Sequence, residues 1–497
     1  MFSEAFFKLL PCYFILHLGG EKINYPDNID LHMKKMLLFY VTMAFIAIGL
    51  SLTVHAQHLS GSANQKTNEY IRLMMLKKHI PGLSVAVLKE GKIVKMEGYG
   101  YANLETRTPA TARTVYKIAS ISKQFIATAV MLLQQQGKIN LNSPISVYLD
   151  SLPVSWQGIT VRNLLTHTSG LVRDEPHFDP LKRRPLSEDI KAIYSLPLDF
   201  APGTKWDYSN MNYFVLAAII ENVTGTDWAK WIGQHIFDPS GMSQTRTTSM
   251  TDLIPNRAGG YKTTSTGWEN AEMWLALLPS GAFVSSVTDL AKWDSILYTN
   301  KLLTADSKKQ MWTPMKLNNG AATGYGFGWF IDSVNNHLRI HHSGGVPGFR
   351  SDFERFPEDK FSVIVLTNGG NASPERMAQN IAGFFMPALK LLPAQALPNK
   401  EPEITAIVKS FIKRLQQNST IDTSTLSAEV ADAYNKHGAR AMANALTGKI
   451  YSVTLIGRRE NNGRRTYRYR LDYGYDYTDL IVEFDPRNKI VGYGIDD

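Results

Sequence analysis

Cysteine is all but absent from this 497-residue chain: the one thiol is Cys12. A lone thiol closes no internal disulfide, and this one precedes an apolar run that reads as an export signal. The mature protein is therefore expected to hold no cysteine nucleophile and no thiolate metal site. No cysteine follows that run either, which excludes a lipid-anchoring residue. There is no H-E-x-x-H, no compact His/Asp cluster, no cofactor motif, and no G-x-S-x-G elbow. Adjacent His341 and His342 should point to opposite faces of a strand, which disfavours joint metal ligation. No metal and no cofactor are expected. Lys and Arg exceed Asp and Glu by 53 to 44, a net charge of +9, but the basic residues are scattered, so nucleic acid is not an expected partner. No internal repeat of about 20–50 residues and no long low-complexity tract argue for a solenoid or fibre.

What is present suits a globular protein. A hydrophobic share of 44% with 20% charged residues supplies a core, and the length suggests two domains. Near the start, Met33-Lys34-Lys35-Met36 precedes an apolar run from Leu37 to Val54 and the small-residue exit Val54-His55-Ala56. These are the three regions of a secretory signal ending near Ala56, so the protein is expected to be exported, periplasmic or extracellular, touching membrane only through that signal. A retained anchor competes, because the run is just long enough to span a bilayer. The exit sequence, and the lack of a basic cluster after it, favour cleavage. Residues 1–56 thus read as an upstream segment, Met1–His32, plus a signal. The upstream segment is expected to reflect a start codon set too early and to be disordered or absent in the mature protein.

Residues 57–390 read as one catalytic domain, and 391–403 as a proline-marked linker with Pro393, Pro398 and Pro402. Residues 404–497 read as a small α+β domain. Helical spacing over Gln65–His79 ends at Pro81-Gly82, and strands Leu83–Leu88 and Ile93–Tyr101 form a hairpin around Glu90-Gly91-Lys92. Buried helices are expected over Ile121–Gln135 and Tyr213–Val223, and an apolar strand over Phe361–Thr367. Strands early and late with helices between them predict an α/β sandwich: an antiparallel sheet with flanking helices and a helical insertion. In the last domain Ile404–Gln417 is helical, Ala428–Ala445 a broken helical pair, and the pattern from Lys449 alternates. Tyr467, Tyr469, Leu471 and Tyr473 should share one face, and Ile481–Phe484 and Ile490–Tyr493 should form a hairpin.

Serine is a weak nucleophile, so an enzyme that uses it must place a base and an oxyanion-stabilising pair of N–H groups around one hydroxyl. In Ser120-Ile121-Ser122-Lys123, helical i, i+3 spacing puts the amine beside the hydroxyl, and the helix N-terminus favours developing negative charge. Burial would hold the amine neutral, as a base requires. The spacing alone proves little, for Ser410-Phe411-Ile412-Lys413 has it too, on the solvated side of a helix. Context discriminates: Tyr208-Ser209-Asn210 follows the turn Pro202-Gly203, and His342-Ser343-Gly344-Gly345 comes later. Other Y-x-N matches, at Tyr101 and Tyr298, read as strand or helix ends.

The order S-x-x-K, Y-x-N, H-x-G resembles class C serine β-lactamases and their relatives among D-alanyl-D-alanine carboxypeptidases, D-aminopeptidases and penicillin-binding-protein-like esterases. Ile159–Leu171, Phe237–Met242 and Tyr325–Trp329 extend the resemblance over roughly Gln65–Phe385. It implies a β-lactamase/transpeptidase-like fold, Ser120 as nucleophile and Lys123 and Tyr208 as proton-handling residues. It further implies Asn210, His342, Gly344 and Gly345 as substrate-binding residues, with Ser120 and Gly345 N–H groups as the oxyanion hole. His342 stands where β-lactamases carry lysine, which weakens the case for efficient antibiotic hydrolysis. His167 is expected to pack rather than relay protons. The implied substrates are D-amino acid peptides or small esters, with β-lactams slow. The rival is a penicillin-recognising binding protein without turnover.

Overall fold

The computed structural model describes residues 63–496 apart from 180, 183, 248–250, 265–266, 273–278, 392–394, 418–422, 438–445, 447, 462 and 475. The upstream segment, the expected export signal and Cys12 lie outside the described residues. Among the described residues no helix is long and apolar enough to cross a membrane.

Helix α1 covers 63–77. Strand β1 (Gly82–Lys89) is apolar on both faces, the pattern of a strand covered from both sides. Strand β2 (Lys92–Asn103) returns through Glu90 and Gly91, both at positive φ (53° and 74°), which a tight hairpin requires. A short β3 (Thr108–Pro109) follows, and four strands come from the other end of the domain: β4 (Phe330–Val334), β5 (His337–Val346), β6 (Phe349–Phe356) and β7 (Phe361–Thr367). The sheet runs β3-β2-β1-β7-β6-β5-β4, antiparallel throughout. The pairing Val85↔Val365 joins its early and late halves.

Alternation along these strands divides the core. Val85, Val87, Val363 and Val365 pack with Tyr70, Ile71 and Met74 of α1 and with Met377 and Ile381 of helix α5 (Pro374–Phe385). Ala86, Leu88, Ile364 and Leu366 face the opposite way, toward α2 (Lys123–Gln135), α3 (Met211–Thr224) and α4 (Val287–Leu297). Phe125, Ile126, Val130 and Leu133 of α2 are wholly buried, each worth about 1.5–3 kcal/mol of transfer free energy. Gly225, at φ 64°, ends α3.

The last segment forms helix α6 (Pro402–Gln417), helix α7 (Ala428–His437) and a meander of β8 (Ser452–Asn461), β9 (Arg464–Asp472), β10 (Tyr477–Phe484) and β11 (Ile490–Asp496). Tyr467, Tyr469, Leu471 and Tyr473 are buried together beneath Ile404, Val408 and Phe411 of α6, and Ser410 and Lys413 are exposed. The second half of the expected helical pair lies outside the described residues. Between β9 and β10, Asp476 accepts from Arg376 Nε at 2.9 Å and from Asn380 Nδ2 at 3.2 Å, both on α5. Lys77 Nζ stands 3.0 Å from the centre of the Tyr473 ring.

Candidate active site

Ser120 lies in a 3₁₀ turn, Ala119–Ser122, that runs into α2 at Lys123. Ala119 holds φ at 46°, a left-handed conformation that costs a residue with a Cβ on the order of 1 kcal/mol or more. The surroundings hold the turn there. Ile118 N donates to Phe283 O at 3.1 Å, Phe283 N to Ser122 Oγ at 3.1 Å, and Ser351 Oγ to Ile118 O at 2.9 Å.

Lys123 has no exposed surface. Its Nζ is 3.1 Å from Ser120 Oγ, 2.8 Å from Asn210 Oδ1 and 2.9 Å from the Ser280 carbonyl. Burial drives its pKa well below that of an ordinary lysine; Asp174 pulls it back and Arg173 pushes it further down. Tyr208 and Asn210 arrive on the loop ahead of α3. Burial raises the phenol's pKa, partly offset by its hydrogen bond with Ser120 and by the Arg173 charge. Asn210 Nδ2 donates to Asp174 Oδ1 at 2.7 Å, which fixes the amide so that its oxygen faces the lysine.

Behind Tyr208 lies His167, fully buried at φ 58°, its ring centre 4.2 Å from that of the tyrosine. Its Nδ1 accepts from Ser209 N at 3.2 Å and lies 3.1 Å from Asn212 Nδ2. Burial first, then the Lys123 charge, push its pKa well down. A neutral ring against which Tyr208 packs agrees with the structural role expected for it. Ser169 takes no part in a relay with it, for its Oγ donates to Asn212 Oδ1 at 2.5 Å.

The H-x-G triplet lies on β5, which is not the outermost strand. Strand β4 covers β5 only as far as His341↔Phe330, while β6 accompanies it to Val346↔Phe349. From His342 to Val346 one edge of β5 is therefore left by β4 and faces the Ser120 turn. Contact there is close: a Cβ on Gly344 would stand 2.3 Å from Ile118 O and 3.0 Å from Ser120 N, so only glycine fits. His342 is buried, its Nε2 2.9 Å from Tyr325 Oη and its Nδ1 2.7 Å from Ser343 O. Burial and the neighbouring Lys123 push its pKa down to about 3. Both ring nitrogens are thus engaged within the protein, and the side chain offers a substrate shape rather than charge.

Two hollows meet at this point. One of about 390 Å³ is walled by Phe178, Met211, Phe214 and Val346; the other, about 510 Å³, by Trp206, Tyr208, Phe330, Arg350 and Glu375. Ser120, Arg173, Asn210 and Gly345 line both. All seven residues expected at the site are therefore gathered around one cleft. The sequence reading missed Arg173, Asp174, Ser280, Arg350 and Glu375. Arg350 was within reach of it, since the turn Pro347-Gly348 sets the register Gly345↔Arg350.

A serine, a buried lysine and a tyrosine in mutual contact between an antiparallel sheet and a helical layer define a serine hydrolase of the active-site-lysine class. The chain belongs to the beta-lactamase family, whose model matches residues 67–384. It is 30% identical over 324 residues to protein flp of Staphylococcus aureus strain N315, covering 62% of this chain and 64% of that protein's length. It is 31% identical over 316 residues to penicillin-binding protein 4* of Bacillus subtilis strain 168, covering 59% of this chain and 69% of that protein. The octameric penicillin-binding protein homologue from Pyrococcus abyssi shares the fold, with a TM-score of 0.60 at 21% identity over 87% of this chain and 99% of that one.

Proposed function

We propose that this protein is an exported serine hydrolase that forms an acyl-enzyme on Ser120 and hydrolyses amide or ester bonds in D-amino acid peptides or small esters. The observation that carries the reading is the set of partners around Lys123 Nζ. Asn210 Oδ1 and the Ser280 carbonyl can only accept hydrogen bonds. They take the two N–H bonds of a neutral amine, and its lone pair is left for the Ser120 hydroxyl 3.1 Å away.

Chemistry follows from that arrangement. Ser120 Oγ attacks the carbonyl carbon as Lys123 takes its proton, and negative charge gathers on the carbonyl oxygen. The Ser120 and Gly345 N–H groups receive that charge, a contribution worth on the order of a hundredfold in rate for each donor. Tyr208, kept protonated by its raised pKa, passes a proton to the leaving group and is refilled with the proton that Lys123 took from Ser120, which leaves the amine neutral again. Water then releases the acyl group by the reverse sequence. The hollow walled by Phe178, Met211 and Phe214 suits an apolar substituent. β-Lactams are slow substrates in this reading, because neutral His342 supplies no cation where a lysine would; the name of the B. subtilis relative supports penicillin as an acylating ligand.

Incubation with a fluorescent penicillin and a chromogenic ester, comparing the protein with its Ser120→Ala variant, tests the proposal. Serine-dependent labelling and ester turnover are expected. Neither, in a folded protein, would leave a binding protein without catalysis.

A further inference from the structure

Several charged side chains around the sheet face beneath α5 are paired. Arg339 holds Asp332 at 2.6 Å and Glu354 at 3.4 Å, His341 Nε2 is 3.4 Å from Asp332, and Arg376 holds Asp476 at 2.9 Å. Three residues break the pattern: Asp352, buried with its Oδ1 unpartnered, and the two that line the cleft, Arg350 and Glu375. Among the described residues, the side chains of Arg350 and Glu375 make no hydrogen bond and no ion pair, with each other or with anything else, and both line the hollow that contains Ser120. Arg350 is half-buried, and its Nη1 lies 2.3 Å from where a Cβ on Gly345 would stand. The guanidinium therefore lies over the strand residue whose N–H faces the reacting carbonyl. Glu375 opens the first turn of α5, on the same face of the sheet.

A half-buried guanidinium without a protein acceptor is free to form a charge-assisted hydrogen bond with an incoming anion. A lone arginine would define a carboxylate site. An unpaired carboxylate on the same wall changes that meaning, because it repels a substrate that carries negative charge alone and attracts an ammonium. His342 cannot supply the cation, both its nitrogens being taken, and Arg173 has its own partner in Asp174 at 3.5 Å.

We infer that Arg350 and Glu375 together select substrates whose portion lying against the α5 side of the cleft is an amino-acid head bearing both a carboxylate and an ammonium. The inference rests on the hydrolase reading and deepens it. Arg350 takes the carboxylate, Glu375 takes the ammonium, and the apolar hollow across Ser120 takes the other side of the scissile bond. Both are specificity residues rather than participants in acyl transfer.

The test uses four dipeptides with one D-amino-acyl donor and different D-configured C-terminal residues: uncharged, carboxylate only, ammonium only, and both. Released amine is measured for the full chain and for Arg350→Met, Arg350→Lys, Glu375→Gln and Glu375→Asp. The doubly charged peptide should have the highest kcat/KM, about tenfold to a hundredfold above the uncharged one. Arg350→Met should erase the preference for carboxylate and Glu375→Gln the preference for ammonium, while the Lys and Asp variants keep part of each. Equal kcat/KM across the four peptides, or variants that lower all four by one factor, would overturn the inference. So would turnover of a neutral ester with no peptide cleaved. Failure on ester and peptides alike would instead remove the hydrolase reading, and this inference with it.

Discussion

Tyr325 and His342 are joined by a 2.9 Å hydrogen bond from the phenol to imidazole Nε2, and the other imidazole nitrogen donates to the Ser343 carbonyl at 2.7 Å. The pair fixes one neutral tautomer at the head of the strand edge that borders the cleft. A permanent cation is thus replaced by a rigid spacer, and the charge recognition an arginine can supply falls to Arg350.

His342 should stay neutral from pH 5 to 8, with its proton on Nδ1, and NMR of the ring carbons should show no titration there. Its pKa falls from an ordinary value near 6.5 to about 3 on folding. The unfolded chain therefore binds a proton that the folded one refuses. The stability tied to this group is complete above about pH 6.5 and is lost as pH falls toward 3. Substituting His342→Gln should flatten that part of the melting-temperature profile between pH 4 and 7.

Lys123→Ala should reduce acylation by about a thousandfold, and Tyr208→Phe by about a hundredfold or more, the range found when a positioned proton-transfer group is removed. Rapid-mixing measurements of ester acylation separate the two. Because burial lowers the lysine's pKa, the acid limb of the wild-type rate profile should lie well below the ordinary lysine range and disappear in Lys123→Ala. A limb unchanged in that variant would assign the base elsewhere.

Gly344→Ala and Gly345→Ala should differ sharply. The first methyl meets backbone, Ile118 O at 2.3 Å, and must push β5 away from the Ser120 turn. Activity should fall by about a hundredfold or more, with a clear drop in melting temperature. The second methyl meets the mobile end of Arg350, so the fold should hold, as circular dichroism melting will show.

Asp294→Ala should destabilise the catalytic domain by about 3–5 kcal/mol, since it leaves a charge without a partner in the core. Asp294 and Arg355 are both buried, with Nε 2.6 Å from Oδ1 and Ser362 Oγ donating to the same oxygen at 2.7 Å. Replacing both by apolar residues should recover much of the loss in urea unfolding.

Much of this was legible in the residue order. Helical spacing put Lys123 beside Ser120, the family resemblance brought Tyr208 to them, and the period-two run at Tyr467–Tyr473 marked its own buried face. What escaped depends on length and rotation, which local patterns do not carry. That β4 stops opposite His341 is a matter of strand length. That the His342 ring engages Tyr325 is settled by aromatic packing among side chains drawn from Trp206, Tyr208, Tyr325 and Phe330. Glu375 reaches the cleft because α5 folds back over the sheet, 25 positions beyond Arg350 in the numbering.

The short reach of β4 has a further meaning. Bare strand edges invite a second chain to add itself, the first step toward sheet-to-sheet polymers. Between His342 and Val346 that invitation is narrowed by the Ser120 turn, which stands against the edge like a doorpost. The nucleophile's own loop thus occupies part of the margin that β4 leaves bare.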